Sequence, residues 1–298
     1  MGGPGTSTGV GFEGATSNGP AGDGVSSTTA PGTGGGGPAP APPSLVLGPM
    51  LRGADPDHLS VWVETDGPAR VNVLGSSAPT FAVHGHHYAL VEIDGAVPGA
   101  SSYAVEIDGR TAWPPATGSV AAPVLTAGDP AGLRIMAGSC RQQAPDPLWW
   151  RRGRAGFGDL GPDALATLSH ELQHGRRPAP DLLLLTGDQV YADEQHRSVR
   201  HALRRRRGGE PPDGEPGITS FDEYAWLYLQ TWSHPLIRWL LSSIPSLMVF
   251  DDHDIIDDWN ISDAWVRHMA DTSWWSHRIR AGLASYWVYQ HRGNLTPR

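Results

Sequence analysis

Between Ser44 and about Pro123, apolar and polar residues alternate in short runs: His58–Val63 (HLSVWV), Arg70–Leu74 (RVNVL) and Tyr88–Asp94 (YALVEID). Period-two alternation puts every second side chain on one face of a pleated strand, so these runs predict half-buried strands. Tyr103–Ile107 and Arg110–Trp113 flank Asp108-Gly109, a pair suited to the positive backbone angles of a two-residue hairpin turn. Strands at this spacing predict a small antiparallel β-sandwich over residues 44–125. His84-Gly85-His86-His87 lies within it, with His84 and His86 on one face of a predicted strand. Imidazoles without a carboxylate beside them read as a solvated edge, not a metal site.

Beyond Ala131 the pattern becomes strand, loop, helix, strand. Three apolar runs end abruptly in metal-binding residues: Leu133–Cys140 (LRIMAGSC), Asp181–Asp188 (DLLLLTGD) and Ser246–Asp254 (SLMVFDDHD). The continuous aliphatic stretch after Asp181 predicts a strand covered on both faces. Asp163–His174, entered through Pro162 and closed by Gly175, predicts a crossover helix, which makes the sheet parallel. Ser220 and Glu223 have capping-box spacing, and a further helix at Pro235–Leu241 leads to the strand at Ser246. Asp263–Arg292 reads as amphipathic helix, with Trp265, Trp274, Trp275, Tyr286, Trp287 and Tyr289 as core packing. The polar stretch holding Arg204–Arg207 and Pro211–Pro216 reads as a solvated, mobile insertion. Residues 131–298 thus predict an α/β domain with a mixed or parallel sheet flanked by helices.

Composition narrows the function. Residues 1–43 are almost entirely Gly, Ser, Thr, Ala and Pro, a disordered tail that cannot bury a core. It lacks the basic start and apolar run of a signal peptide, which makes the cytoplasm the default compartment and secretion the alternative if the true start lies upstream. No stretch is long and apolar enough to span a bilayer. A net charge of -9 argues against specific nucleic-acid binding and suits a bound polyvalent cation. With a single cysteine, Cys140, no intrachain disulfide forms.

The strand ends carry the chemistry. Carboxylates and thiols serve no purpose at the ends of buried strands, yet parallel sheets collect functional groups along that edge. Asp188 and Tyr191 follow a glycine that lets the chain turn, and a carboxylate with a phenolate favours a hard cation such as ferric iron. Cys140 is either a third donor or a small buried hydrophobe. Asp251, Asp252 and Asp254 repel one another unless a cation compensates them. His253 either hydrogen-bonds a phosphoryl oxygen and protonates a leaving group, or orients a carboxylate. Arg141 either contacts phosphate through charge-assisted bonds or is a surface arginine.

The order GSC, GDxxY, then DDHD followed by Asp257-Asp258-Trp259-Asn260 resembles the PhoD-like alkaline phosphatases, a branch of the calcineurin-like metallophosphoesterases. The resemblance covers about residues 44–298, the leading sandwich included. It implies that Cys140, Asp188 and Tyr191 bind iron (Fe3+) and that Asp188 bridges towards calcium. Asp251 or Asp252 then supplies another ligand, and Asp258 holds calcium. The implied reaction is hydrolysis of phosphate mono- or diesters by metal-activated hydroxide. Later His or Asp ligands that such enzymes use do not follow the third motif, so the sequence reads as truncated at its carboxyl end. A catalytically inactive fragment that acts as a binding module is the alternative function.

Overall fold

A computed structural model describes residues 41–55, 58–95, 102–116, 132–141, 163–195, 197–209 and 217–295. The tail apart from Ala41–Pro43, together with Pro162 and Pro211–Pro216, lies outside the described residues.

Among the described residues eight strands come first: β1 (Leu45–Asp55), β2 (His58–Thr65), β3 (Arg70–Val73), β4 (Ser76–Pro79), β5 (Phe81–Val83), β6 (His86–Asp94), β7 (Val105–Ile107) and β8 (Arg110–Trp113). They pair into two antiparallel sheets with strand orders β1-β2-β6-β5 and β4-β3-β7-β8. Val61, Val63, Ala89 and Val91 of the first sheet share a core with Val71, Val73, Val105 and Trp113 of the second. The predicted hairpin forms as expected, with Asp108 at φ 47° and Gly109 at φ 75°.

The alternate residues of β2 are not solvated. Met50, Trp62 and Tyr88 pack into a second core with the helices, so β2 is buried on both faces and not half-buried. His84 also departs from expectation. It sits with Gly85 in the β5–β6 turn, at φ 49°, and stacks on Phe221. His86 is no solvated edge, because its ring nitrogens contact Glu64 at 3.1 Å and Asp222 at 3.2 Å.

The second part is built on β9 (Ile135–Gly138), β10 (Leu182–Thr186) and β11 (Ser246–Val249), arranged β11-β10-β9 with both pairings parallel. Its helices are α1 (Ala164–Gln173), α2 (Arg197–Arg207), α3 (Phe221–Trp232), α4 (Pro235–Ser243), α5 (Asp263–Ala270) and α6 (Trp275–Tyr286). Leu183, Leu185 and Met248 bury one face of the sheet. Among the described residues the opposite face is partly open: Leu182 and Leu184 are half-buried, while Ile135 is 50% and Val249 48% exposed. Among the described residues the stretch after Asp181 is therefore fully buried on one side and half-buried on the other, short of the two-sided burial that its composition suggests.

Local signals decide where the helices start. α1 begins after Asp163, whose carboxylate accepts the N–H groups of Leu165 and Ala166, which moves its start past Pro162. α3 carries the full Ser220/Glu223 capping box. Arg204–Arg207 end α2 and are no loop; Arg207 pairs with Glu223. The carboxyl-terminal helix is broken, since α5 stops at Ala270, α6 starts at Trp275, and a π-helical turn, Trp287–His291, closes it. Of its aromatics Tyr289 is buried in the core, while Trp287 is exposed.

Candidate metal centre

The parallel register brings the three motifs to one edge. Leu185 pairs with Gly138 on one side and Met248 on the other, so Cys140, Asp188 and Asp251 follow within a few residues of one line across the sheet. The backbone there is unusual: Cys140, Asp188 and Asp258 have φ of 52°, 50° and 54°. Non-glycine residues rarely hold this left-handed conformation, and it tends to occur at functional sites. Gly187 has φ 116°, and a Cβ on it would lie 2.5 Å from the Cβ of Asp251. Only glycine lets β10 and β11 deliver Asp188 and Asp251 this close together.

Carboxylate oxygens of Asp188, Asp251 and Asp252 lie within 4.8 Å of one another. Asp188 is 2% exposed, and its buried Oδ1 has no hydrogen-bond partner among the described residues. Burial, together with the charges of Asp251 and Asp252, pushes the Asp188 carboxyl above its ordinary range. The Cys140 thiol hydrogen-bonds Asp188; Ser139 pulls its proton affinity down, but Asp188, burial and Asp251 leave it raised. Burial, then the charge of Asp188, raises the Tyr191 phenol as well. A cation would reverse each of these effects and supply the missing partner of Asp188. A buried acceptor without a donor, converging carboxylates and a glycine cradle are the features of a site that fits a metal.

His253 lies beside this group, its ring centroid 4.7 Å from that of Tyr191. Its Nδ1 lies 3.0 Å from Oδ2 of Asp193, and the same carboxylate oxygen accepts the N–H of Asp257 at 2.7 Å. Burial lowers and Asp193 raises the imidazole's proton affinity, and the net direction is upward. Asp252, His253 and Asp257 form a second group with metal-ligand spacing. Burial raises the Asp252 carboxyl, but the N–H groups of Asp258 and His253 and the charge of His253 outweigh it and leave it lowered. Asp258 lies at the margin of the cluster; its N–H donates to Asp252 at 2.9 Å, and its own side chain is exposed.

Asp254 differs from its neighbours in the motif. It is buried, and it accepts the N–H groups of Val190 and Asp251, each at 3.0 Å. Desolvation pushes it up to about 7. Arg141 turns to a structural use instead of facing an open phosphate site: its guanidinium grips Asp163 at 3.1 and 2.6 Å, tying the end of β9 to the cap of α1. Asp193 and Asp257 are the residues that sequence reasoning gave no role, and Asp254, read there as one of three carboxylates awaiting a cation, is a buried hydrogen-bond acceptor instead. Asp257 stands inside the DDHD-DDWN stretch, whereas nothing local marks Asp193 as a partner of the cluster.

A parallel sheet with convergent donors at its carboxyl edge places this candidate site where open α/β sheets bind their ligands. Residues 167–291 match the family of PhoD-like phosphatases. Residues 42–125 match a domain family of unknown function, DUF7800. A solved structure of PhoD is similar in fold, with a TM-score of 0.50 and 15% sequence identity, covering 88% of this chain and 48% of its own length. The chain thus spans about half the length of that relative. Among curated proteins no match is found.

Proposed function

We propose that the chain is a metal-dependent phosphatase acting on phosphate mono- or diesters. The observation that carries this reading is the convergence of Asp188, Asp251 and Asp252 around a buried, partnerless carboxylate oxygen. Cys140, Asp188 and Tyr191 would hold iron; Asp251, Asp252 and Asp258 would complete the ligands, with calcium beside the iron. Such cations neutralise phosphate oxygens and lower the proton affinity of water. His253 protonates the departing alkoxide, and Asp193 holds its ring in place. Arg141 supports the site from behind by fixing the end of β9. In this reading residues 44–125 form a β-sandwich module and residues 131–298 the phosphatase part, with residues 1–43 as a tail.

A second reading is metal or phosphate binding without turnover. The exposure of Cys140 and Asp251 favours it, because an open ligand shell binds metal weakly. Metal analysis combined with hydrolysis of a chromogenic phosphate ester separates the two. Bound metal with turnover supports the phosphatase, and bound metal without turnover supports the binding module. A folded sample with neither metal nor hydrolysis refutes both.

A further inference from the structure

The antiparallel module and the third metal motif meet on the π-helical turn that closes α6. Such turns insert one extra residue into a helix and recur at functional sites. Here the turn carries Tyr289 and Gln290, adjacent and both buried. The Tyr289 hydroxyl donates to Oε2 of Glu64 on β2 at 2.9 Å and accepts from Tyr88 on β6 at 3.1 Å. Gln290 reaches the other way, its Nε2 donating to Tyr228 at 2.8 Å and to Oδ1 of Asp254 at 3.3 Å.

A second tie comes from β1. Arg52 is 1% exposed and donates to the carbonyl oxygen of Gln290, to Oδ1 of Asn294 at 2.8 Å and to the sulfur of Met248 at 2.9 Å. A Cβ on Gly293 would collide with the Arg52 side chain, so that glycine is what lets Arg52 cross the turn. Asn294 in turn pairs with β11 as a strand would, accepting from the N–H of Met248 at 3.0 Å and donating to its carbonyl at 2.6 Å. Met248 stands three residues before Asp251.

These contacts converge on Asp254. That carboxylate spans the loop after Asp188, through Val190, and the start of the third motif, through Asp251. Its position therefore sets how far apart two metal-ligand loops stand. Metal sites need their donors held within about 0.5 Å, and buried hydrogen-bond networks are stiff enough to do so.

We propose that the antiparallel module braces the metal centre: Glu64 and Arg52 fix the π-turn, and Gln290 passes its position to Asp254, which spaces the Asp188 and Asp251 loops. Glu64, Arg52, Tyr289 and Gln290 are positioning residues. This gives a role to the module that matches a domain family of unknown function, and it rests on the metal-centre reading above.

The test uses the full chain with Mn2+ as probe, following free Mn2+ by its paramagnetic resonance signal and thermal unfolding in metal-free buffer. Tyr289→Phe deletes one oxygen and leaves the ring stacked on Tyr228. It should weaken Mn2+ binding about tenfold, the low end for residues behind metal ligands, and Glu64→Gln should do the same. Tyr289→Phe combined with Gln290→Met should bind no more weakly than Gln290→Met alone, because the two act along one path. Tyr103→Phe is the control. It removes a buried bond from the same module to Ser242 of α4, 2.7 Å long, and should lower the unfolding temperature without moving the Mn2+ midpoint. If Tyr289→Phe lowers the unfolding temperature but keeps Mn2+ affinity within about twofold of wild type, the brace is overturned. If the wild-type chain takes up no Mn2+, the metal-centre reading itself falls.

Discussion

Oδ2 of Asp193 stands 3.0 Å from Nδ1 of His253, a carboxylate–imidazole pair joining the loop after β10 to the third motif. The hydrogen bond orients the ring through Nδ1 and favours its protonated form, in which Nε2 carries the proton that a substrate oxygen would take. Asp193→Asn should cut phosphate-ester hydrolysis by about 10- to 100-fold. The loss should be larger for an alkyl phosphate than for a nitrophenyl phosphate, whose leaving group needs no proton. Equal losses on both substrates would show that His253 donates no proton to the leaving group.

Metal removal should expose the cost of the carboxylate cluster. Without a cation, Asp188 is buried beside Asp251 and Asp252, and its raised pKa means that the ionised form opposes folding above that pKa. Asp188→Asn should therefore raise the unfolding temperature of metal-free protein while abolishing stabilisation by metal. For wild type, metal at about 100 times its dissociation constant should add about 2.7 kcal/mol. Calorimetry of both proteins with and without metal checks the crossing pattern.

Gly187→Ala tests the cradle. The added methyl would meet the Cβ of Asp251 at 2.5 Å, on a backbone with φ 116°. A cost of about 1–3 kcal/mol is expected from backbone strain, with further loss from the forced separation of β10 and β11. Metal binding should fall even in samples that remain folded by circular dichroism. Unchanged metal affinity in folded Gly187→Ala would show that the close approach of the two loops is unimportant.

His86 gives the pH dependence away from the metal. Its hydrogen bond to Glu64 raises the pKa above 6.5, burial opposing and Asp222 assisting. The folded chain therefore binds the proton more tightly. Stability from this site is fully present below about pH 6.5 and is lost as pH rises through the folded value. His86→Gln should destabilise the protein more at about pH 5.5 than at about pH 9, measured by urea unfolding. A gap that is constant or grows with pH would remove the ion pair from the account.

What the sequence made legible was local chemistry. The Asp108-Gly109 hairpin, the Ser220/Glu223 capping box and the three strand ends each need only a few neighbouring residues to be recognised. β1 escaped notice because Gly48-Pro49 interrupts its pattern and its pairing with β2 shifts register three times. The double burial of β2 was hidden because its second face meets helices about 160 or more residues away in the chain, a distance no periodicity reports. Arg141 looked like a phosphate ligand beside Cys140, yet Asp163 claims it. The roles of Asp193, Asp254 and Gln290 depend on contacts across 60, 64 and 36 residues, so only the folded chain displays them.

The left-handed backbone at Cys140 has a consequence for how such sequences drift. Glycine, asparagine and aspartate tolerate this conformation best, and cysteine gains nothing from it except its sulfur. Position 140 therefore acts as a gauge of use. In a lineage that stops binding metal, replacement by glycine or asparagine relieves strain at no loss, so that exchange should be among the earliest marks of an abandoned site.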